Sequence, residues 1–208
     1  MHRGQRVAMP NIGLTLSRRF RRWIGLSLLP IAAAGLWALY LLATDNFHVI
    51  ARGEAYRAGQ MDSNELARCI ERQGIRSIIN LRGEHPEETW YRDEIQVAES
   101  QHVVHRSLSL SSGKAISEQQ WREIILLLRT VPKPVLIHCN GGADRTAFVA
   151  AAYEMEMANK PVEVAARAFS LWYGYWPFVW QKKEALRDSF YANVARSTHY
   201  GRIDSGAQ

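Results

Sequence analysis

Apolar positions along this 208-residue chain change their rhythm once, near residue 45. From Trp23 to Ala43 run 21 residues without a charge, WIGLSLLPIAAAGLWALYLLA. At a helical rise of about 1.5 Å per residue, such a run covers the roughly 30 Å of a bilayer core. Nothing in it is polar enough to make a solvent-facing stripe, so a buried helix of a globular core fits poorly and a single membrane-spanning helix is expected. Pro30 would kink that helix, a distortion that membrane helices tolerate. A cleaved signal peptide is the competing reading, kept open by the alanines at 32–34, although its apolar core normally runs only about 7 to 15 residues.

Beyond Asp45, short apolar runs alternate with amphipathic stretches, the pattern of an α/β domain. Strands are expected near Phe47–Ile50 and Ala55–Arg57, then a helix capped by Ser63 and running to about Gln73. RSIINL follows Gly74 as the next strand. A loop over Gly83–Pro86 leads to a helix from about Glu87 to Ser100, whose acidic start suits the positive end of the helix dipole, and VVHRSLSL closes that unit as a strand. Ser117 and Gln120 form a capping box, after which Trp121, Ile124, Ile125 and Leu128 share one helical face. KPVLIH is apolar throughout, as in a central strand covered on both faces. Two or three helices fill the chain to about Arg196. The domain boundaries expected are a basic tail over 1–22, the membrane helix over 23–43, one folded domain over 46–198 and a frayed tail over 199–208.

Charge sharpens this division. The formal net charge of +6 resides in residues 1–44, which hold six Arg and no acid; the other 20 Lys and Arg balance 20 Asp and Glu. The folded domain therefore has no net field to attract nucleic acid, and that class of partner is set aside. Arg18, Arg19, Arg21 and Arg22 crowd one end of the apolar run and Asp45 follows the other. The positive-inside rule then puts the tail in the cytoplasm and the domain across the membrane, in the periplasm if the membrane is a bacterial inner one. Of the two cysteines, Cys69 has the spacing of a buried helix position, and neither belongs to a CxxC pair or a disulfide scaffold.

The second cysteine stands in a chemically suggestive place. The apolar strand runs into His138-Cys139-Asn140-Gly141-Gly142-Ala143-Asp144-Arg145-Thr146, followed by the helical AFVAAAYEMEM. A strand, a glycine-containing loop and a helix N-terminus make an anion site, because successive N–H groups and the helix dipole converge, so residues 140–145 can cradle a phosphate. A thiol at the rim of such a site is held as thiolate and can attack phosphorus. Arg145 can grip two phosphate oxygens with its planar fork and stabilise the charge of the transition state. Thr146 can donate its hydroxyl to the sulfur and help it leave. A zinc site at His138 and Cys139 lacks further ligands at usable spacing.

This HCxxGxxRT segment resembles the signature of the protein tyrosine phosphatase superfamily, closest to its bacterial dual-specificity-like members. GEAYRAGQM, IINLRGE and LSLWYGYWP look like segments of the same group, so the resemblance covers about residues 47–195. It implies a mostly parallel central sheet flanked by helices, phosphomonoester hydrolysis through a phosphocysteine at Cys139, and no metal or organic cofactor. His138 is then expected to support the cysteine loop. The implied substrate is a phosphorylated protein. A phosphorylated lipid or inositol is the alternative, and a silent phosphate-binding module is a third reading.

One departure bears on the mechanism. Such enzymes usually carry an aspartic acid some thirty residues before the cysteine to protonate the leaving oxygen, whereas here the region reads RSLSLSSGKAIS. Asp144 is the nearest substitute, since an acid directly before the signature arginine also occurs in the myotubularin and Sac groups of inositol-lipid phosphatases; its duller role is to cap the helix or pair with an arginine. Glu84 is the other candidate, and Arg82 either reaches the same pocket or pairs with Glu84 at the surface. Trp172, Tyr173, Tyr175, Trp176, Phe178 and Trp180 form an aromatic cluster that can line a cleft, meet a bilayer or serve as core with one wet edge.

Overall fold

Four residues, Val135–His138, form the strand on which the rest is organised, and each of them is buried. In this computed structural model, which describes residues 18–176 and 184–205, it is β5 of a five-stranded sheet in the order β1-β2-β5-β3-β4. The other strands are β1 (His48–Ala51), β2 (Ala55–Ala58), β3 (Ser77–Asn80) and β4 (Val104–Ser107). β1 runs antiparallel to β2, and all the remaining pairings are parallel. An α/β sheet of the expected mostly parallel kind results. β5 is apolar throughout because both faces of a central parallel strand are covered.

Period-two alternation sorts the strand residues between two apolar clusters. Ile79, Val135 and Ile137 join Trp121, Ile124, Leu128, Phe148 and Phe190 on one side. Tyr56, Ala58, Ile78 and Leu136 join Leu66, Cys69 and Ile70 on the other. The helices that supply these partners are α2 (Ser63–Gln73), α3 (Thr89–Ser100), α4 (Glu118–Thr130), α5 (Asp144–Glu156), the short α6 (Val162–Ala165) and α7 (Glu184–Ser205). Cys69 is buried as expected, and burial first, then the charge of Asp45, pushes its thiol up to about 11. That sulfur is an inert core group at neutral pH.

Local rules place the element ends within a few residues of expectation. The capping box of α4 is present, with Ser117 Oγ accepting from the Gln120 N–H and Gln120 reaching back. The cap of α2 is Asp62, one residue before the expected Ser63, because its carboxylate accepts from the Glu65 N–H at 2.9 Å. Gly74 ends that helix at φ 62°, where a glycine carries no steric penalty. β4 is shorter than VVHRSLSL: the chain departs from strand geometry after Ser107, although the Leu108 N–H still donates to the Asn80 carbonyl. α7 continues to Ser205, so the tail expected over 199–208 is helical to that residue, with no proline to stop it.

By its internal contacts the chain divides into residues 1–38 and 39–208. The apolar run 23–43 lies in a single helix, α1 (Arg18–Ala43), with Pro30 inside it. Among the described residues, no helix is long and apolar enough to cross a membrane. Residues 1–17 and the side chains of 18–28 lie outside what the structure describes, and the stretch 29–43 alone falls short of the roughly 20 apolar residues that a span requires. Within it Leu29, Ile31, Leu36, Leu39 and Leu42 are exposed.

Candidate active site

The C-terminal ends of parallel strands collect functional loops. Since β5 lies between β2 and β3, the loop after it is flanked by the residues that follow those strands. These are Gly59 and Gln60 on one side and Leu81 and Arg82 on the other. The loop, residues 139–143, runs from the buried Cys139 to the first turn of α5.

Four of its carbonyls, those of residues 140–143, are bonded to the body of the protein. That of Asn140 accepts from the Gln60 N–H at 3.0 Å, and that of Gly141 from Asn46 Nδ2 at 2.9 Å. The carbonyls of Gly142 and Ala143 accept from Arg57 Nη2 at 2.9 and 3.5 Å. Among the described residues, no hydrogen bond takes the N–H groups of Asn140, Gly141, Gly142 or Ala143. Because the C=O of one residue and the N–H of the next share a peptide and point in opposite directions, fixing the carbonyls of Asn140, Gly141 and Gly142 outward turns the N–H groups of Gly141, Gly142 and Ala143 toward a common centre. Gly142 makes this curvature possible. It adopts φ 66°, and a Cβ there would lie 2.6 Å from the Ala58 carbonyl carbon and the Gly59 nitrogen.

Two of the supporting residues carry no obvious signal in sequence. Arg57 is 2% exposed within β2, donates to the Ala168 carbonyl as well as to the loop, and stacks 4.1 Å from the centroid of the Tyr173 ring. Burial lowers its guanidinium to about 10, against the raising effect of Tyr173, Cys139 and Glu154, so it stays charged beneath the loop. A charge in the middle of AYRA, whose neighbours are all buried, is the hint that was available. Asn46 is buried too, its Oδ1 accepting from His48 Nε2 at 3.1 Å, which aims Nδ2 at Gly141.

The expected residues are distributed as follows. Arg145, second residue of α5, donates Nη1 to the Leu81 carbonyl at 3.3 Å. His138 is buried and donates Nε2 to Glu94 at 3.2 Å, in keeping with a supporting role. Arg82 does not turn to Glu84. It donates Nη1 to Gln60 at 3.0 Å and lies over the Trp90 ring at 3.4 Å. Burial, and then Arg145, lower its guanidinium, while Glu94, Cys139 and Glu88 oppose them, so Arg82 lies within electrostatic reach of both Arg145 and Cys139.

Asp144 opens α5 half-buried, and its charge acts on the Tyr175 phenol, which burial pushes up to about 12. Glu84 is exposed and lines a cavity with Tyr91, His105 and Arg106 that includes none of residues 139–145. Thr146 does not make the expected bond to Cys139. It is fully buried and its Oγ1 has no hydrogen-bond partner among the described residues. Of the aromatic cluster, Tyr175 is core, packed on Phe169, Tyr173 covers Arg57, and Trp172 is exposed. Phe178 and Trp180 lie outside the described residues.

Residues 44–175 match the family model described as PTP-NADK, DSP-PTPase phosphatase fused to NAD+ kinase. Curated proteins offer no sequence match. Among solved structures, a cysteine-to-serine variant of P. aeruginosa TpbA in complex with pTyr is similar at 14% identity and TM-score 0.54, covering 72% of this chain and 91% of that one. PTPMT1 in complex with PI(5)P is similar at 17% and 0.53, covering 74% and 99%. The core catalytic domain of the PP-IP phosphatase SIW14 from S. cerevisiae is similar at 17% and 0.54, covering 74% and 93%. At these identities the structural likeness establishes the fold, and the family match covers more than half of the sequence. The chain belongs to this DSP-PTPase family of the protein tyrosine phosphatase superfamily and is a cysteine-dependent phosphatase.

Proposed function

We propose that the chain hydrolyses phosphomonoesters of proteins, in the manner of tyrosine and dual-specificity phosphatases, through a phosphocysteine at Cys139. The observation that carries this reading is the loop 140–143, with every carbonyl bonded outward and no N–H taken by another group among the described residues. A phosphate dianion held there takes hydrogen bonds from the loop and a two-point grip from Arg145. The Cys139 thiolate attacks phosphorus in line with the leaving oxygen, which takes a proton from Asp144. Water, giving a proton to the Asp144 carboxylate left by the first step, then attacks phosphorus and expels the sulfur as thiolate. Thr146, whose hydroxyl is buried without a partner, donates to the sulfur once it carries charge. Glu84 does not share that position.

A second reading, a lipid or inositol phosphate, is favoured by Arg82. A guanidinium in reach of both Cys139 and Arg145 suits a substrate with a second anionic group, and the solved structures of similar fold include one bound to PI(5)P and one named for PP-IP. The deciding experiment is phosphate release by the full chain from a phosphotyrosine peptide and from a phosphorylated lipid in mixed micelles, with Cys139→Ser as the blank. The peptide is expected to turn over at least about tenfold faster in kcat/KM. The reverse order would replace the first reading by the second.

We also propose that residues 23–43 anchor the domain in a membrane, with 1–22 in the cytoplasm and the catalytic domain on the other side. The support is the uncharged run of 21 residues, the arginines before it and the exposed leucines along α1. An alkaline phosphatase reporter fused after Gln208 is expected to be active in a bacterial host. Activity only of a cytoplasmic reporter at that position would reverse the topology.

A further inference from the structure

Beneath the loop lies a carboxylate that the chemistry above does not use. Glu94, on α3, is 2% exposed and collects four donors. Its Oε1 accepts from His105 Nε2 at 2.7 Å, Asn80 Nδ2 at 3.0 Å and His138 Nε2 at 3.2 Å, and its Oε2 accepts from Gln60 Nε2 at 2.6 Å. The donors come from β3, β4 and β5 and from the residue that follows Gly59 after β2, so one side chain ties together all four parallel strands at the end where the loop sits. Burial alone would raise its carboxyl. The charge of His138 and the hydrogen bonds from His105, His138 and Gln60 overcome that and hold it well below the ordinary carboxylate range.

The arrangement does more than satisfy a buried charge. An ionised carboxylate only accepts, so it dictates which atom of each partner faces it. Both imidazoles must present N–H at Nε2. Both amides must present nitrogen, which points their oxygens the other way. Those two oxygens hold Arg82: Asn80 Oδ1 accepts from its N–H at 2.8 Å, and Gln60 Oε1 accepts from its Nη1 at 3.0 Å. Gln60 also donates its own N–H to the Asn140 carbonyl, and His138 directly precedes Cys139.

We propose that Glu94 is a positioning residue for the phosphate site, acting through His138 on the start of the cysteine loop and through Asn80 and Gln60 on Arg82. This rests on the reading of residues 139–145 as that site. A neutral amide at position 94 cannot replace the carboxylate, because it offers one acceptor atom and one donor group to four donors. Either Gln60 or Asn80 must turn over and present nitrogen to Arg82, or a bond is lost.

The experiment compares the full-length parent with Glu94→Gln. It measures kcat and KM on p-nitrophenyl phosphate and the inhibition constant of inorganic phosphate, with the melting temperature alongside. Glu94→Gln is expected to weaken phosphate about tenfold and to lower kcat/KM by about 10 to 100-fold, consistent with 1.4 kcal/mol for each factor of ten. A residue that served stability alone would lower the melting temperature and the folded fraction, but every molecule still folded would keep the parent inhibition constant and KM; that outcome overturns the proposal. If Glu94→Gln does not fold, Gln60→Met carries the test, since it cuts the link to Arg82 and leaves the other three donors in place. A several-fold weaker phosphate is expected there, and a parent value overturns the proposal. A parent enzyme that neither turns over the ester nor binds phosphate would instead remove the reading of the site itself.

Discussion

Cys139→Ser is expected to lower phosphomonoester turnover by roughly ten-thousandfold or more while leaving the affinity for inorganic phosphate within about threefold of the parent. The two halves of this expectation have separate physical origins. A serine hydroxyl in the same place has no base beside it to take its proton, and as a neutral alcohol it is a far weaker nucleophile than a thiolate. Binding, by contrast, is expected to come from the main-chain N–H groups of Gly141, Gly142 and Ala143, whose orientation follows from Gln60, Asn46 and Arg57 acting on the carbonyls of 140–142, and none of those bonds involves the sulfur. Steady-state kinetics and phosphate calorimetry on the same preparation check both halves. Turnover within tenfold of the parent would rule Cys139 out as nucleophile. Lost phosphate affinity with a parent-like melting temperature would show that the sulfur itself shapes the cradle.

How much of this was legible without a structure follows from how local each feature is. β5 and the loop after it are contiguous in sequence, and an apolar strand, a glycine and a helix start each leave a pattern that reads directly. The strands beside β5 were legible for the same reason, since β2 and β3 are short local runs that are buried throughout. Arg57, Asn46, Gln60 and Glu94 were not read as part of the site. The first three act on main-chain carbonyls, which every residue has, so the partner leaves no trace of the pairing. Glu94 is detectable only as an acid at a core-facing position of α3, in step with the buried Ala98 four residues on. Arg82 was half legible: its sequence suggested either the pocket or Glu84, and what decides is Trp90, which presents a ring face eight residues later that no spacing rule requires. The run over 23–43 is legible as composition, and composition alone does not say what packs against it.

Rigidity of the site comes from contacts that are not local. The loop and the start of α5 are tied to two strands, to β2 by Gln60 after it and Arg57 within it and to β3 by Leu81 after it. Displacing the loop therefore means breaking bonds to β2 and β3, which are buried throughout, and a preorganised ring of donors is what makes oxyanion stabilisation effective.

Arg145→Lys is expected to lower kcat/KM by about a hundredfold to a thousandfold, most of it in kcat. A lysine keeps the positive charge, so an effect of charge alone would be small. What it loses is the planar fork that spans two phosphate oxygens and the Nη1 that anchors the side chain to the Leu81 carbonyl at 3.3 Å. Without that anchor the ammonium samples several rotamers. It is also repelled by Arg82, which Trp90 and Gln60 hold in place beside it. Ground-state binding suffers less than the transition state, because the N–H groups of 140–143 still meet the phosphate, whereas charge spread over the equatorial oxygens in flight is matched only by a fork. Kinetics on p-nitrophenyl phosphate separate the two: a kcat loss with KM within about fivefold supports the clamp. A variant within threefold of the parent in kcat/KM would mean that Arg145 serves to tie α5 to Leu81, and that Arg82 is the guanidinium that meets the transition state.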